Sequence, residues 1–177
     1  MKLVILDRDG TINHDSDQYI KSPAEWKPIK GSLEAIARLT QSGHRVVVAT
    51  NQSGIARGLF DMTALNAIHD AMQRAVHQAG GRIDAIFFCP HAGDADCGCR
   101  KPKPGMLLEI ARRINVELEG VPMVGDSLRD LQAAAAAGAR PVLVLTGKGR
   151  KTRDAGGLPA GTEVFADLAA IAARLAP

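Results

Sequence analysis

Short apolar runs rich in β-branched residues recur at 3–6, 45–49, 85–88, 122–124 and 141–145, each of a length suited to a buried strand. Between them, apolar residues fall at three- and four-residue intervals over 33–40, 62–79, 106–114 and 128–137, the spacing of one helix face. A weaker run at 163–165 and a last periodic stretch at 167–175 predict a sixth strand and a closing helix. The segment 147–161 is rich in Gly, Lys and Arg and reads as a mobile surface loop. Alanines 133–137 suit a helix surface or close helix packing. Regular alternation of strand and helix implies right-handed βαβ crossovers, hence an α/β fold in three layers, Rossmann-like, with a mostly parallel sheet covered on both faces. In such sheets the site lies beyond the carboxyl ends of the strands. The polar motifs fall there four times, at 7–13, 50–54, 89–104 and 125–130, so four loops are expected to converge on one cleft.

Composition narrows this picture. A length of 177 residues with 46% hydrophobic positions predicts one domain, 1–177, and aromatics at only 3% leave Ala, Val, Leu and Ile to build its core. The net charge is +3 with Lys and Arg scattered, so no long polyanion is demanded; a small anionic substrate suffices and no nucleic-acid partner is expected. No apolar run approaches the roughly 18 residues of a membrane span. Met1 and Lys2 lead into a short apolar run broken by Asp7, Arg8 and Asp9, unlike a signal peptide. A soluble, cytoplasmic monomer is therefore expected.

The run Asp7-Arg8-Asp9-Gly10-Thr11-Ile12-Asn13 places two carboxylates two residues apart just past a buried strand, followed by a glycine that permits a sharp turn. Such a pair invites a divalent cation. One carboxylate can attack phosphorus while the other protonates the leaving oxygen and then activates water. By itself Asp-x-Asp reads more readily as an acidic turn capping a helix. Further motifs favour the chemical reading. Thr50-Asn51-Gln52-Ser53-Gly54 offers hydroxyls and amides to phosphoryl oxygens, Arg100-Lys101 supplies cations, and Gly125-Asp126-Ser127 brings another carboxylate suited to magnesium. Asp130, one helical turn beyond Asp126, is either a support for that site or a salt-bridged helix residue.

Cys89-Pro90-His91 and Cys97-Gly98-Cys99 supply three sulfurs and an imidazole within eleven positions, the ligand set of tetrahedral zinc. Reduced core thiols are the alternative, but the intervening 92–96 is small and polar. Four protein ligands leave no open position for water, which favours a structural role. The cluster runs directly into Arg100 and Lys101, so folding around zinc would fix where those cations point.

The four motifs, in their order and spacing, resemble the haloacid-dehalogenase phosphatases over nearly the whole chain. That resemblance implies Asp7 as the nucleophile that becomes an aspartyl phosphate and Asp9 as acid and base. It further implies Thr50 and Lys101 around the phosphoryl group, and magnesium held by Asp7, Asp126 and the main-chain carbonyl of Asp9. The Cys-x-His and Cys-x-Cys pairs beside Arg-Lys-Pro, with the string Thr50 to Gly58, look like the D-glycero-D-manno-heptose 1,7-bisphosphate 7-phosphatase family. Histidinol-phosphate phosphatases share much of this. The heptose branch implies loss of the 7-phosphate from a phosphorylated sugar on the way to lipopolysaccharide or a similar glycan. It implies Arg100 in substrate recognition, and Asn51, Gln52 and Ser53 lining the sugar-phosphate site. The stretch 13–19 departs from the family pattern by one residue, and no insertion is large enough for a cap domain, so short loops must select the substrate. A polynucleotide 3′-phosphatase shares Asp-x-Asp-Gly-Thr but fits poorly with a near-neutral chain lacking aromatic-rich basic stretches. An inactive zinc-bearing interaction module fits poorly with intact Asp7, Asp9, Lys101 and Asp126.

Overall fold

The computed structural model describes residues 2–177. Its elements follow in the order β1 (Lys2–Leu6), α1 (Ser32–Gln41), β2 (His44–Asn51), α2 (Met62–Gln78), β3 (Ala85–Cys89), α3 (Gly105–Ile114), β4 (Pro122–Gly125), α4 (Leu128–Ala136), β5 (Arg140–Val144), α5 (Gly149–Ala155), β6 (Glu163–Phe165) and α6 (Leu168–Leu175). The strands form one sheet in the order β3-β2-β1-β4-β5-β6, and every pairing is parallel.

Alternation along the strands explains why they read as unbroken apolar runs. In β1, Val4 and Leu6 face one core while Leu3 and Ile5 face the other; β2 divides Val46 and Val48 from Val47 and Ala49 in the same way. The first core is closed by Ile36 and Leu39 of α1, Ile68, Met72 and Val76 of α2, and Leu168 and Ile171 of α6. The second is closed by Met106, Leu107 and Ile110 of α3 and by Ala133 and Ala134 of α4, so the alanine run packs closely against the sheet. Each fully buried Leu, Ile or Met adds about 1.5–3 kcal/mol relative to exposure, and the two sides together clamp β1 in the middle of the sheet.

The winding positions the chemistry. The chain runs outward from β1 through β2 to β3, then returns to the other side of β1 with β4, leaving a crevice where the direction reverses. Leu6 is in register with both Val48 and Val124, so Asp7, Thr50 and Asp126 lie side by side at the carboxyl ends of three neighbouring strands.

Two differences from the sequence expectation matter. Strand β2 runs to Asn51, so Thr50 and Asn51 sit on the strand itself and inherit its rigidity. The segment 147–161 is not simply a mobile loop: it contains α5, whose first residue Gly149 is buried against β5, where a Cβ would run into the carbonyl of Val144. Tertiary contacts, including a 2.8 Å hydrogen bond from Thr152 Oγ1 to the Asp126 carbonyl, hold this short basic helix. Among the described residues, no helix is long and apolar enough to cross a membrane.

Candidate active site

A cleft of about 320 Å³ opens over the crevice between β1 and β4. Asp7, Asp9, Thr50, Asn51, Gln52, Ser53, Arg100, Lys101 and Asp126 all line it, so the structure brings together every residue expected there from the sequence.

Lys101 is the pivot. It arrives from the loop before α3 and is only 2% exposed, yet its Nζ donates to Asp7 Oδ1 at 2.8 Å and to the Ala49 carbonyl at 2.7 Å, and meets Asp130 Oδ1 at 2.7 Å. Burial alone would push its pKa down; Asp130 and Asp7 outweigh that and raise it, keeping the ammonium charged. Asp130 is thus a salt-bridged helix residue, and the salt bridge is made to the site. Its other oxygen closes the capping box of α4 by accepting from the main-chain N–H of Ser127 at 3.1 Å and its hydroxyl at 2.8 Å.

The Asp9 carboxyl is held differently. Both of its oxygens meet the Arg8 guanidinium, with Nε to Oδ1 at 3.0 Å and the third nitrogen to Oδ2 at 3.2 Å. Asn13 Nδ2 adds a bond to Oδ1 at 2.9 Å, and Gln52 Nε2 one to Oδ2 at 3.2 Å. Gln52 also donates to Thr50 Oγ1 at 2.9 Å. Asn51 brackets the Lys101 main chain, donating to its carbonyl at 3.0 Å and accepting from its N–H at 3.1 Å. The side-chain amides of Asn51 and Gln52 are therefore engaged within the protein, where they brace Lys101, Thr50 and Asp9.

The donor set fits magnesium. Oxygens of Asp7, Asp126 and Asp130 lie within 4.8 Å of one another, and the Lys101 ammonium meets only two of the three, Asp7 and Asp130. The imbalance registers in their acidity. Burial and then Asp130 hold Asp7 well above the ordinary carboxylate range despite Lys101, and the same two causes push Asp126 up to about 7. A cation would relieve both. The surrounding backbone leaves room only because it lacks side chains: a Cβ at Gly10 or Gly147 would collide with Asp126 Oδ2.

The sulfur cluster lies beyond the end of β3. Sγ of Cys89, Cys97 and Cys99 and Nδ1 of His91 all lie within 4.8 Å of one another, and all three cysteines are free. Crowded sulfurs with no balancing charge separate in acidity. Cys97 is lowered to about 7, first by the Arg100 main chain, whereas burial and the neighbouring thiols push Cys99 up to about 12. Three sulfurs and an imidazole nitrogen around one point fit zinc in tetrahedral coordination. Cys89 is fully buried at its strand end, so one ligand is seated in the core while the others ride on the loop.

Several cleft residues escape a reading of the sequence alone. Asp15, Ser16, Asp17 and Tyr19 line one wall, Arg57 and Arg129 add cations, and Lys148 closes a corner. The Lys148 N–H donates to Asp126 Oδ2 at 2.8 Å and its Nζ meets Asp15 Oδ2 at 3.2 Å. Thr146-Gly147-Lys148 directly after β5 was the available signal, being another polar motif at a strand's carboxyl end.

Residues 98–171 match a family model described as HAD-hydrolase-like. A D-glycero-beta-D-manno-heptose-1,7-bisphosphate 7-phosphatase of Bordetella bronchiseptica is 66% identical over 175 residues, covering 99% of this chain and 98% of its own length. The protein of the same name in Pseudomonas putida is 56% identical over 175 residues, covering 99% of both. A crystal structure of D,D-heptose 1,7-bisphosphate phosphatase from B. bronchiseptica with magnesium and phosphate matches at a TM-score of 0.98 and 66% identity, over 99% of this chain and 98% of that one.

Proposed function

Because the chain belongs to the D-glycero-beta-D-manno-heptose-1,7-bisphosphate 7-phosphatase family of HAD-like hydrolases, we propose that it removes the 7-phosphate of the β-heptose bisphosphate. Water is consumed, and inorganic phosphate and heptose 1-phosphate are released. The observation that carries this reading is the Asp7–Lys101–Asp130 array at a strand end, inside a cleft whose other walls bear Arg57, Arg100, Arg129 and Lys148. Those further cations suit a substrate with a second phosphate better than one whose other end is an amine.

The residues take these roles. Asp7 attacks phosphorus, forming an aspartyl phosphate as the bond to the sugar oxygen breaks, and Asp9 gives that oxygen its proton. Asp9 then takes a proton from water, which attacks the same phosphorus and restores Asp7. Lys101 and Thr50 hold phosphoryl oxygens, Arg100 and Ser53 meet the remainder of the substrate, and Asn51 and Gln52 brace Lys101, Thr50 and Asp9. Asp7, Asp126 and the Asp9 carbonyl would hold magnesium, which offsets charge on the transferring phosphoryl group. Cys89, His91, Cys97 and Cys99 would hold a structural zinc.

The whole chain, 1–177, acts as one domain, since a single sheet joins both cores. One copy supplies every group named, so a monomer suffices. Three free thiols in a ligand cluster suit the reducing cytoplasm. Phosphate release from the heptose bisphosphate, its anomers and histidinol phosphate, each with magnesium, tests the reading. Preference for histidinol phosphate would replace the sugar substrate with an amino alcohol ester.

A further inference from the structure

Between the two aspartates of the first motif stands Arg8, whose side chain is completely buried. A guanidinium keeps its proton, so its buried N–H groups need acceptors. Two of its nitrogens are taken by the Asp9 carboxylate. The remaining one, Nη1, lies 3.1 Å from Nε2 of His69. Guanidinium nitrogens only donate, so Nε2 must accept, which assigns His69 as a neutral ring with its proton on Nδ1. Burial, and then the Arg8 charge, agree by lowering His69 to about 4.

His69 lies on the buried face of α2 with Leu65, Ile68 and Met72, and its ring centroid is 6.5 Å from that of Phe88. It is absent from the lining of the cleft. An apolar residue would pack at this position equally well but would leave Nη1 unpaired. Asn13 and Gln52 each grip a single oxygen of Asp9, whereas Arg8 grips both and so sets the plane of the carboxyl.

We propose that His69 is a positioning residue for the phosphatase reaction: it anchors the Arg8 fork to helix α2, and the fork aims the Asp9 carboxyl at the leaving oxygen. This rests on Asp9 being the general acid.

The test uses two probes of similar shape, phenyl phosphate and p-nitrophenyl phosphate. Phenoxide needs a proton as it leaves and nitrophenoxide hardly does. The ratio of kcat/KM for the two therefore reports proton donation in the step that forms the aspartyl phosphate, apart from later hydrolysis. His69→Leu is expected to lower the phenyl-to-nitrophenyl ratio about tenfold, part of the usual effect of a general acid. His69→Asn, too short to reach Arg8, is expected to do the same and serves if the Leu variant does not fold. His69→Gln, which offers a carbonyl at greater reach, is expected to restore the ratio. Asp9→Asn provides the reference and should lower it further. A ratio unchanged in His69→Leu and His69→Asn while Asp9→Asn lowers it overturns the relay alone. A ratio unchanged in Asp9→Asn as well overturns the role of Asp9, and the relay with it. Failure of Gln to restore what Leu and Asn lose overturns the hydrogen bond as the cause.

Discussion

Two ligand clusters sit at the same end of one sheet, yet they rest on different supports. Asp7 and Asp126 extend strands β1 and β4, Asp130 is locked in the first turn of α4, and Lys101 is buried among them. Their positions follow from apolar packing on both faces of the sheet. The sulfur cluster has one foot on β3, through Cys89, but His91, Cys97 and Cys99 occupy a stretch without regular structure before α3. Two stretches of that loop meet at the ligand atoms, and the 3.3 Å bond from Arg100 Nη1 to the His91 carbonyl adds a second tie between them. The carboxylate cluster is thus a preformed site that a cation completes, and the sulfur cluster is a loop that its cation would fold.

The sharpest separation of the two is Asp7→Asn. Turnover on p-nitrophenyl phosphate is expected to fall by about 10⁴-fold or more, because an amide cannot attack phosphorus. Zinc content should stay at wild-type level, and no covalent phosphate should be detected by mass spectrometry. Ordinary turnover in this variant would remove Asp7 from its role.

The second test asks whether the carboxylates are crowded without their metal. The folded-state pKa of Asp126, raised to about 7, means that its ionised form opposes folding: the stability it lends is present below the ordinary carboxylate pKa and lost as pH rises through 7. Asp126→Asn removes that cost. In magnesium-free protein, its stability advantage over wild type should widen by about 3 kcal/mol between pH 5 and pH 8, read from denaturant unfolding. Excess magnesium should reverse the order by binding the wild type. A gap independent of pH would mean the carboxylates are already balanced.

The contrast also explains what could be seen in the sequence. Strand-end motifs were legible because alternation of apolar and helical periods fixes the layers, and the layers fix which ends carry polar loops. The sulfur cluster was legible because its four donors lie within eleven positions of the chain. Arg8 and His69 were not, since an arginine between two aspartates looks like a solvated spacer and only its burial shows the need for a partner. His69 did leave a trace, as a histidine on an otherwise apolar stripe of α2. Helix α5 was hidden for a related reason: its composition is that of a loop, and its support comes from Val144 and Asp126 across the fold.

A third prediction addresses the loop directly. Cys99→Ser should release zinc and cost about 10–100-fold in kcat/KM on both a bisphosphate and a small monophosphate, because Lys101 loses its approach path. Slow formation of the aspartyl phosphate should persist, since Asp7 stays on its strand. Full activity in zinc-free Cys99→Ser would mean that Asn51, which brackets the Lys101 main chain, suffices to hold it.

The smallest effect is expected one residue earlier in the chain from Lys101. Arg100 lines the cleft but is only half-buried, and its Nη1 donates to the His91 carbonyl at 3.3 Å. It therefore belongs to both regions, tethered to the sulfur loop and lining the cleft. With zinc retained, Arg100→Ala should lower kcat/KM for the heptose bisphosphate relative to p-nitrophenyl phosphate by about fivefold, the scale of one partly solvated charge contact. Arg57, Arg129 and Lys148 remain in the cleft, and their presence limits the loss. A fall that is equal on both substrates would instead make Arg100 a brace for the zinc loop, and the two clusters would then be coupled through structure rather than through the substrate.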